Sequence, residues 1–335
     1  MADVGPGRRR EDEVVCDPRS VHPALSIVFF TTASGAGFAL LFLIGIGVPL
    51  GLLPADRWFG VAGLLTAFVL AAGGLVSSVF HLGHPERAWR AFSQWRSSWL
   101  SREGVLSVMT LVPAAVFAIG WVLFGATSGF IGLCGVLAAS LAAGTIHCTG
   151  MIYASLTPIY QWHNRWTVPN YLALGLMTGF LLLDLIVRFW VAWPVGTAIL
   201  TLLAIVAAWW LKEAYWRLID TTSAPSTVAS ATALGRHGRV RLLEPPHTQD
   251  NYLLQEMGYR IARKHGVRLR AIARVAGFAA PLLLTLVALI AAGGTAAIAA
   301  AIALASAALG LVIERWLFFA EAKHTVTLYY GAEAV

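Results

Sequence analysis

Eight long apolar runs constrain this chain more than any other feature. They fall at roughly residues 24–53, 58–82, 104–124, 130–156, 170–191, 195–216, 271–292 and 295–318. A helix of about 20 residues crosses the hydrocarbon core of a bilayer. Lipid offers backbone groups no partner, so a spanning segment is either a helix or a strand of a closed barrel. Barrel strands alternate apolar and polar residues, and uninterrupted runs exclude them. The chain is 58% hydrophobic and 12% charged, about half the charge of soluble domains. The expected fold class is therefore all-α: a polytopic membrane protein with eight transmembrane helices. Tight links at residues 125–129, near Pro194 and at Gly293-Gly294 join spans 3 and 4, 5 and 6, and 7 and 8. Links this short predict antiparallel helical hairpins.

The charges predict orientation. All Lys and Arg residues except Arg57 and Arg188 lie at or near the side opposite the short links. Positive loops stay in the cytoplasm, so both termini and all long loops are expected there. This divides the chain into an N-terminal cytoplasmic segment (1–23), helices 1–6 (24–216), a basic cytoplasmic loop (217–270), helices 7 and 8 (271–318) and a cytoplasmic tail (319–335). A pI near 9.7 does not point to nucleic acid, because the basic residues sit between apolar runs. Within the loop, residues 221–235 are small, polar and low in complexity, and are expected to be extended or mobile. Leu253, Met257 and Ile261 then recur at helical spacing beside Arg260, Arg263 and Lys264. They predict an amphipathic helix, which either rests on anionic headgroups or forms a docking surface for a soluble partner.

Cys16, Cys134 and Cys148 are scattered. They build neither a zinc site nor an iron–sulfur cluster, and a disulfide framework is not expected. Arg8, Arg9 and Arg10 are followed at once by Glu11, Asp12 and Glu13, so no secretory or twin-arginine signal is expected. Trp58, Trp162, Trp166, Trp190, Trp193, Trp216 and Trp316 fall near span ends, where tryptophan anchors helices at the membrane interface. Trp95 and Trp99 stand apart, because they lie in the loop between spans 2 and 3.

That loop, residues 81–103, reads HLGHPERAWRAFSQWRSSWLSRE. It crowds proton-carrying and aromatic groups where a span meets water, which suits a lipid-soluble redox substrate such as a quinone. His81 ends span 2. Histidine exchanges protons near neutral pH, and it could equally be an interfacial residue reaching water. Glu103 opens span 3, with Ser101 as the expected helix cap. Carboxylates stabilise helix N-termini; alternatively, Glu103 orients or reprotonates His81. Arg87 and Arg90 either fix the loop to the carboxylate or to lipid phosphate, or are simply interfacial, the commoner place for arginine at this depth. Asp184 and Arg188, spaced i, i+4, are read as a structural pair. Glu314 and Arg315 are each expected to face a neighbouring helix. His147, deep in span 4 beside Cys148, is open to three readings: haem ligand, quinone contact or core histidine. Haem b is the least favoured of these.

The string HLGHPERAWRAF followed by SRE resembles the membrane-anchor subunits of dimethyl sulfoxide reductase and its relatives. Their pattern, His-Leu-Gly-x-Pro-x-Arg-Ala and then Ser-x-Glu, falls here on His81, Leu82, Gly83, Pro85, Arg87 and Ala88, then Ser101 and Glu103. The segments HPALSIVFFTT, MIYASL and ERWLFF also fit. The resemblance implies an anchor in the bacterial inner membrane that binds quinone, whether ubiquinone or menaquinone. It implies an iron–sulfur subunit and a molybdopterin catalytic subunit as partners. It carries the family's quinone-site histidine and glutamate onto His81 and Glu103, with His84, Arg87, Trp99 and Ser101 around them. Combined with cytoplasmic sidedness, it implies the branch serving cytoplasm-facing sulfite dehydrogenase, which oxidises sulfite and reduces quinone. The alternatives are an anchor of a quinol-oxidising reductase, a purely structural anchor, and a secondary transporter using His147 and Asp184. A transporter is expected to show an inverted repeat, and no convincing one is evident.

Overall fold

The computed structural model describes residues 25–81, 84–222, 226–241, 243–244, 260–330 and 334–335, with the backbone alone at 81, 260–264 and 330. Eight helices are long and apolar enough to cross a membrane. They are α1 (Leu25–Gly47), α2 (Arg57–Ser77), α3 (Trp99–Phe124), α4 (Gly129–Ala154), α5 (Thr167–Val187), α6 (Val195–Thr221), α7 and α8 (Gly293–Ala320). Helix α7 has three parts: Arg260–Arg274, a π-helical turn at Val275–Ala279, and Ala280–Ile290. Among the described residues no strand forms, and Thr227 and Ala334 make an isolated bridge.

Helix α1 lies at the centre of the first half, packed against α2, α4 and α5. Small residues let it approach closely. A Cβ at Gly37 would sit 2.4 Å from the backbone nitrogen of Ala71, and one at Gly45 would sit 2.5 Å from the carbonyl of Gly135. Lipid supplies no hydrophobic drive between helices, so such contacts and buried hydrogen bonds hold a bundle together. Phe38, Phe59, Phe117 and Trp121 fill the core of this half. The Trp121 indole donates to the Ala55 carbonyl at 2.9 Å. In the second half Leu174, Met177, Ile205, Phe278 and Ala307 are buried together.

Asp184 and Arg188 do pair, at 2.9 Å. They also reach beyond their own helix: Arg188 donates to the Ala288 carbonyl at 2.8 Å, and Thr197 donates to Asp184 at 3.0 Å. The pair thus ties α5 to α6 and α7.

Several expectations change. Helix α3 starts at Trp99 rather than near residue 104, because Ser98, not Ser101, is its cap; the Ser101 amide approaches the Ser98 hydroxyl at 3.4 Å. Ser101 lies buried inside the first turn. Helix α6 runs on to Thr221, which draws Lys212 and Trp216 into the bundle, where both are buried. Trp216 is therefore no interfacial anchor. Within 221–235, Thr227 and Ser230 form a capping box that nucleates a short helix, Val228–Thr232. Leu253 and Met257, and the side chains of Arg260, Ile261, Arg263 and Lys264, lie outside the described residues.

Candidate functional site at the 81–103 segment

The end of α2 is pinned to the start of α1, where the Ser77 hydroxyl donates to the Ser26 carbonyl at 2.9 Å. The chain then tightens into a 3-10 turn, Ser78–His81. This sets the His81 backbone at the exit of α2; its side chain, and Leu82 and Gly83, lie outside the described residues. Pro85 opens a second 3-10 helix, Pro85–Phe92, where its fixed φ and missing N–H suit a first position. His84 Nδ1 lies 3.0 Å from Glu86 Oε1, and Arg87 Nε lies 3.7 Å from the same oxygen, all three side chains being exposed. Arg90 covers the Trp89 ring and Arg96 the Trp95 ring. This outer surface alternates guanidinium and indole, the pairing that suits a membrane interface.

Arg102, in sequence no more than a topology charge, locks the segment onto α3. Its Nε donates to the Trp95 carbonyl at 3.0 Å and a terminal nitrogen donates to the Arg96 carbonyl at 2.7 Å. Its guanidinium lies 4.2 Å from the centre of the Trp99 ring. Trp99 in turn meets His147 edge-on, with ring centroids 6.1 Å apart. His147 is not a core residue. It is exposed on the outer surface of α4, and among the described residues no three His, Cys, Asp or Glu side chains gather as a metal site.

Among the described residues, Glu103 is the buried ionisable group of this segment, only 3% exposed. Thr149 of α4, a residue nothing in the sequence singles out, donates its hydroxyl to Glu103 Oε1. Ser107 donates to the Glu103 carbonyl at 2.7 Å. An ionisable group buried within a spanning helix marks a functional site by default. The segment thus divides in two. Trp99, Ser101 and Glu103 share the first turns of α3, with Glu103 and Ser101 inside the bundle. His84 and Arg87 stand on the surface, paired to Glu86.

A second buried set occupies the same end of the bundle. Lys212 of α6 contacts Glu314 Oε1 of α8. Its ammonium lies 4.1 Å from the centre of the Tyr215 ring and 5.0 Å from that of Trp216. Arg315 Nε lies 3.6 Å from Glu314 Oε2, an ion contact longer than a hydrogen bond, and its guanidinium sits 3.8 Å over the Tyr171 ring. Glu314 and Arg315 therefore face neighbouring helices, as expected. In sequence Lys212 is only a charge near a span end; its position well inside the true end of α6 is the signal that would have found it. Closer to the rim, Arg270 bonds Asp220 and Glu321, each at 2.7 Å, and Arg274 bonds Glu213 at 2.6 Å. These basic side chains of α7 clamp α6 and α8, so they are not free for an outside partner. Beyond the spans, burial holds the His324 imidazole below its ordinary pKa.

Comparison with known proteins agrees with this architecture. Residues 19–331 match the family model described as DMSO reductase anchor subunit. The chain is 36% identical over 340 residues to a sulfite dehydrogenase subunit of Allochromatium vinosum, an alignment covering 94% of this chain and 100% of that protein. No solved structure matches. With a family match over nearly its whole length, eight apolar helices and the motif set at one end of the bundle, this chain belongs to the DMSO reductase anchor-subunit family.

Proposed function

We propose that this chain anchors a molybdopterin oxidoreductase to the bacterial inner membrane and passes electrons from a partner's iron–sulfur cluster to membrane quinone. The observation that carries the reading is Glu103: the carboxyl of the family motif, buried at the bundle end, with a threonine hydroxyl from another helix holding it. Quinone, as substrate, takes up two electrons and two protons, so its site needs proton-carrying groups that water can resupply. Glu103 and His81 fill that role, with His81 at the end of α2 and Glu103 in the adjoining turns of α3. Trp99, gripped by Arg102, walls the site towards lipid. His84 and Arg87, paired with the exposed Glu86, belong to its outer surface.

The direction of flow rests on the partner. Identity to a sulfite dehydrogenase subunit over the full length of that protein supports sulfite oxidation, with quinone reduced at this chain. The charge asymmetry supports the cytoplasmic side for the motif end, both termini and the two partner subunits. A quinol-oxidising reductase would use the same groups in reverse.

The test is made on the whole complex. Co-purification is expected to bring partner chains carrying molybdenum and iron. His81→Ala and Glu103→Gln are expected to cut sulfite-driven quinone reduction roughly 100-fold or more, the range of general acid–base catalysis. Reduction of a soluble dye by the catalytic subunit should be unchanged. Normal quinone turnover in both variants refutes the assignment, and a preparation lacking molybdenum and iron refutes the anchor role.

A further inference from the structure

We propose that the bundle binds one internal water molecule between α1, α4, α5 and α8, and that this water extends the hydrogen-bond chain of Glu103 through Thr149 to Arg315. A small cavity lies there, lined by Thr31, Ser34, Thr149, Tyr171, Thr178 and Arg315 among others, with room for about one water. It sits between the two buried ionisable sets, since Thr149 holds Glu103 and Arg315 contacts Glu314.

The hydrogen-bond inventory of the lining points to water. Thr31 donates to the carbonyls of Ile27 and Val28, Ser34 to that of Phe30, and Thr178 to those of Leu174 and Gly175. Thr149 donates to Glu103. Each hydroxyl proton is thus engaged within the protein, which leaves oxygen lone pairs as acceptors around the cavity. Tyr171 Oη and Arg315 Nε are buried and have no hydrogen-bond partner among the described residues. Buried polar groups are nearly always satisfied, and a buried water typically makes about three hydrogen bonds. A water here accepts from Arg315 or Tyr171 and donates to two hydroxyl oxygens. An anion would meet those same lone pairs, which repel it; an apolar guest would leave the Arg315 Nε–H unsatisfied. Neither fits.

One glycine permits a test that removes no polar group. Gly175 lines the cavity. A Cβ there lies 3.4 Å from the Gly35 carbonyl oxygen and 3.6 Å from the Ile146 side chain, both of the cavity wall, so it adds volume in ordinary contact. Alanine also favours helix over glycine. The purified complex is exposed to an X-ray pulse, and oxidation by radicals from bound water is mapped by mass spectrometry. The wild type is expected to label Tyr171 and Leu174 despite their burial. The Gly175→Ala variant is expected to lose that labelling several-fold, with labelling of exposed Trp89 unchanged. Unlabelled Tyr171 and Leu174 in the wild type, or equal labelling in the filled variant, overturns the proposal. If the variant does not assemble, high-resolution density of the wild-type complex decides: an isolated peak within hydrogen-bonding distance of Arg315 Nε supports the water, and an empty or hydrocarbon-filled cavity overturns it. Neither readout requires quinone turnover, so failure here is distinct from failure of the proposed function.

Discussion

Glu314→Gln is expected to destabilise the bundle more than Lys212→Met, although the two side chains form one ion pair. The difference follows from the third charge. Lys212, Glu314 and Arg315 are buried together as two cations around one carboxylate. Glutamine at 314 leaves both cations without their counter-charge, and breaking a buried pair this way costs about 3–5 kcal/mol. Methionine at 212 leaves Glu314 beside Arg315 Nε at 3.6 Å, so a neutral pair remains where the set had been positive. Methionine also fills the space between Tyr215 and Trp216 and keeps favourable sulfur contacts with rings. What it gives up is the cation–π attraction at 4.1 and 5.0 Å, about 0.5–2 kcal/mol. The expected losses are therefore about 1–2 kcal/mol for Lys212→Met and roughly twice that or more for Glu314→Gln. The double variant should fall short of the sum by about 1 kcal/mol or more, because the residues touch. Reversible unfolding in mixed detergent micelles, followed by tryptophan fluorescence, measures all three. A Lys212→Met loss equal to or larger than that of Glu314→Gln refutes the three-charge account, as do losses below about 0.5 kcal/mol for both.

Three further outcomes are expected. Thr149→Val keeps the shape of the side chain but withdraws the hydroxyl from Glu103; a hydrogen bond to a charged group is worth about 1.5–3 kcal/mol, so quinone reduction by the complex should drop about 10- to 150-fold, and Thr149→Ser should restore it. Gly310→Ala should disrupt the contact between α7 and α8, because its Cβ would meet the Gly277 backbone nitrogen at 2.1 Å, whereas Gly277→Ala meets nothing closer than 3.6 Å; thermal unfolding should show a loss of at least about 1–3 kcal/mol for the first and little for the second. The Asp56 carboxyl, which caps α2, is held below its ordinary pKa by the Phe59 amide first and by the Trp190 indole and Trp58 amide. A depressed carboxyl adds stability that is complete above its unfolded value of about 4 and is lost as pH falls through the folded value, so the stability gap between wild type and Asp56→Ala should close below about pH 4, as measured by unfolding midpoints across pH.

Local features were legible in the sequence and long-range ones were not, and particular residues show why. The eight spans follow from apolar length alone. The turn after α3 follows from Gly125, whose φ of 67° no branched residue would accept readily. Asp184 and Arg188 meet because four residues of helix bring them together. By contrast, Thr149 stands 46 residues from Glu103, and only the rotation of α3 against α4 makes them partners. The expected cap of α3, Ser101, was wrong because Ser98, three residues earlier in SSWLS, carries the same hydroxyl and takes that place. Lys212 misled for a further reason. A charge near a span end looks like a topology signal until the helix is known to continue past it.

The charges of the motif end therefore sort by depth rather than by sequence. His84 and Arg87 pair with Glu86 on their own short helix and stay exposed, and exposed pairs contribute little. Arg270 and Arg274 bridge helix ends at the rim. Glu103, Lys212, Glu314 and Arg315 are buried, and each is held by a residue of another helix. A group held that way cannot reorient without moving a helix, so it keeps its distance to whatever enters from the membrane. That rigidity is what a proton donor beside a diffusing redox substrate requires. It places Glu103, rather than the more conspicuous surface histidine and arginines of the loop, at the centre of the proposed chemistry.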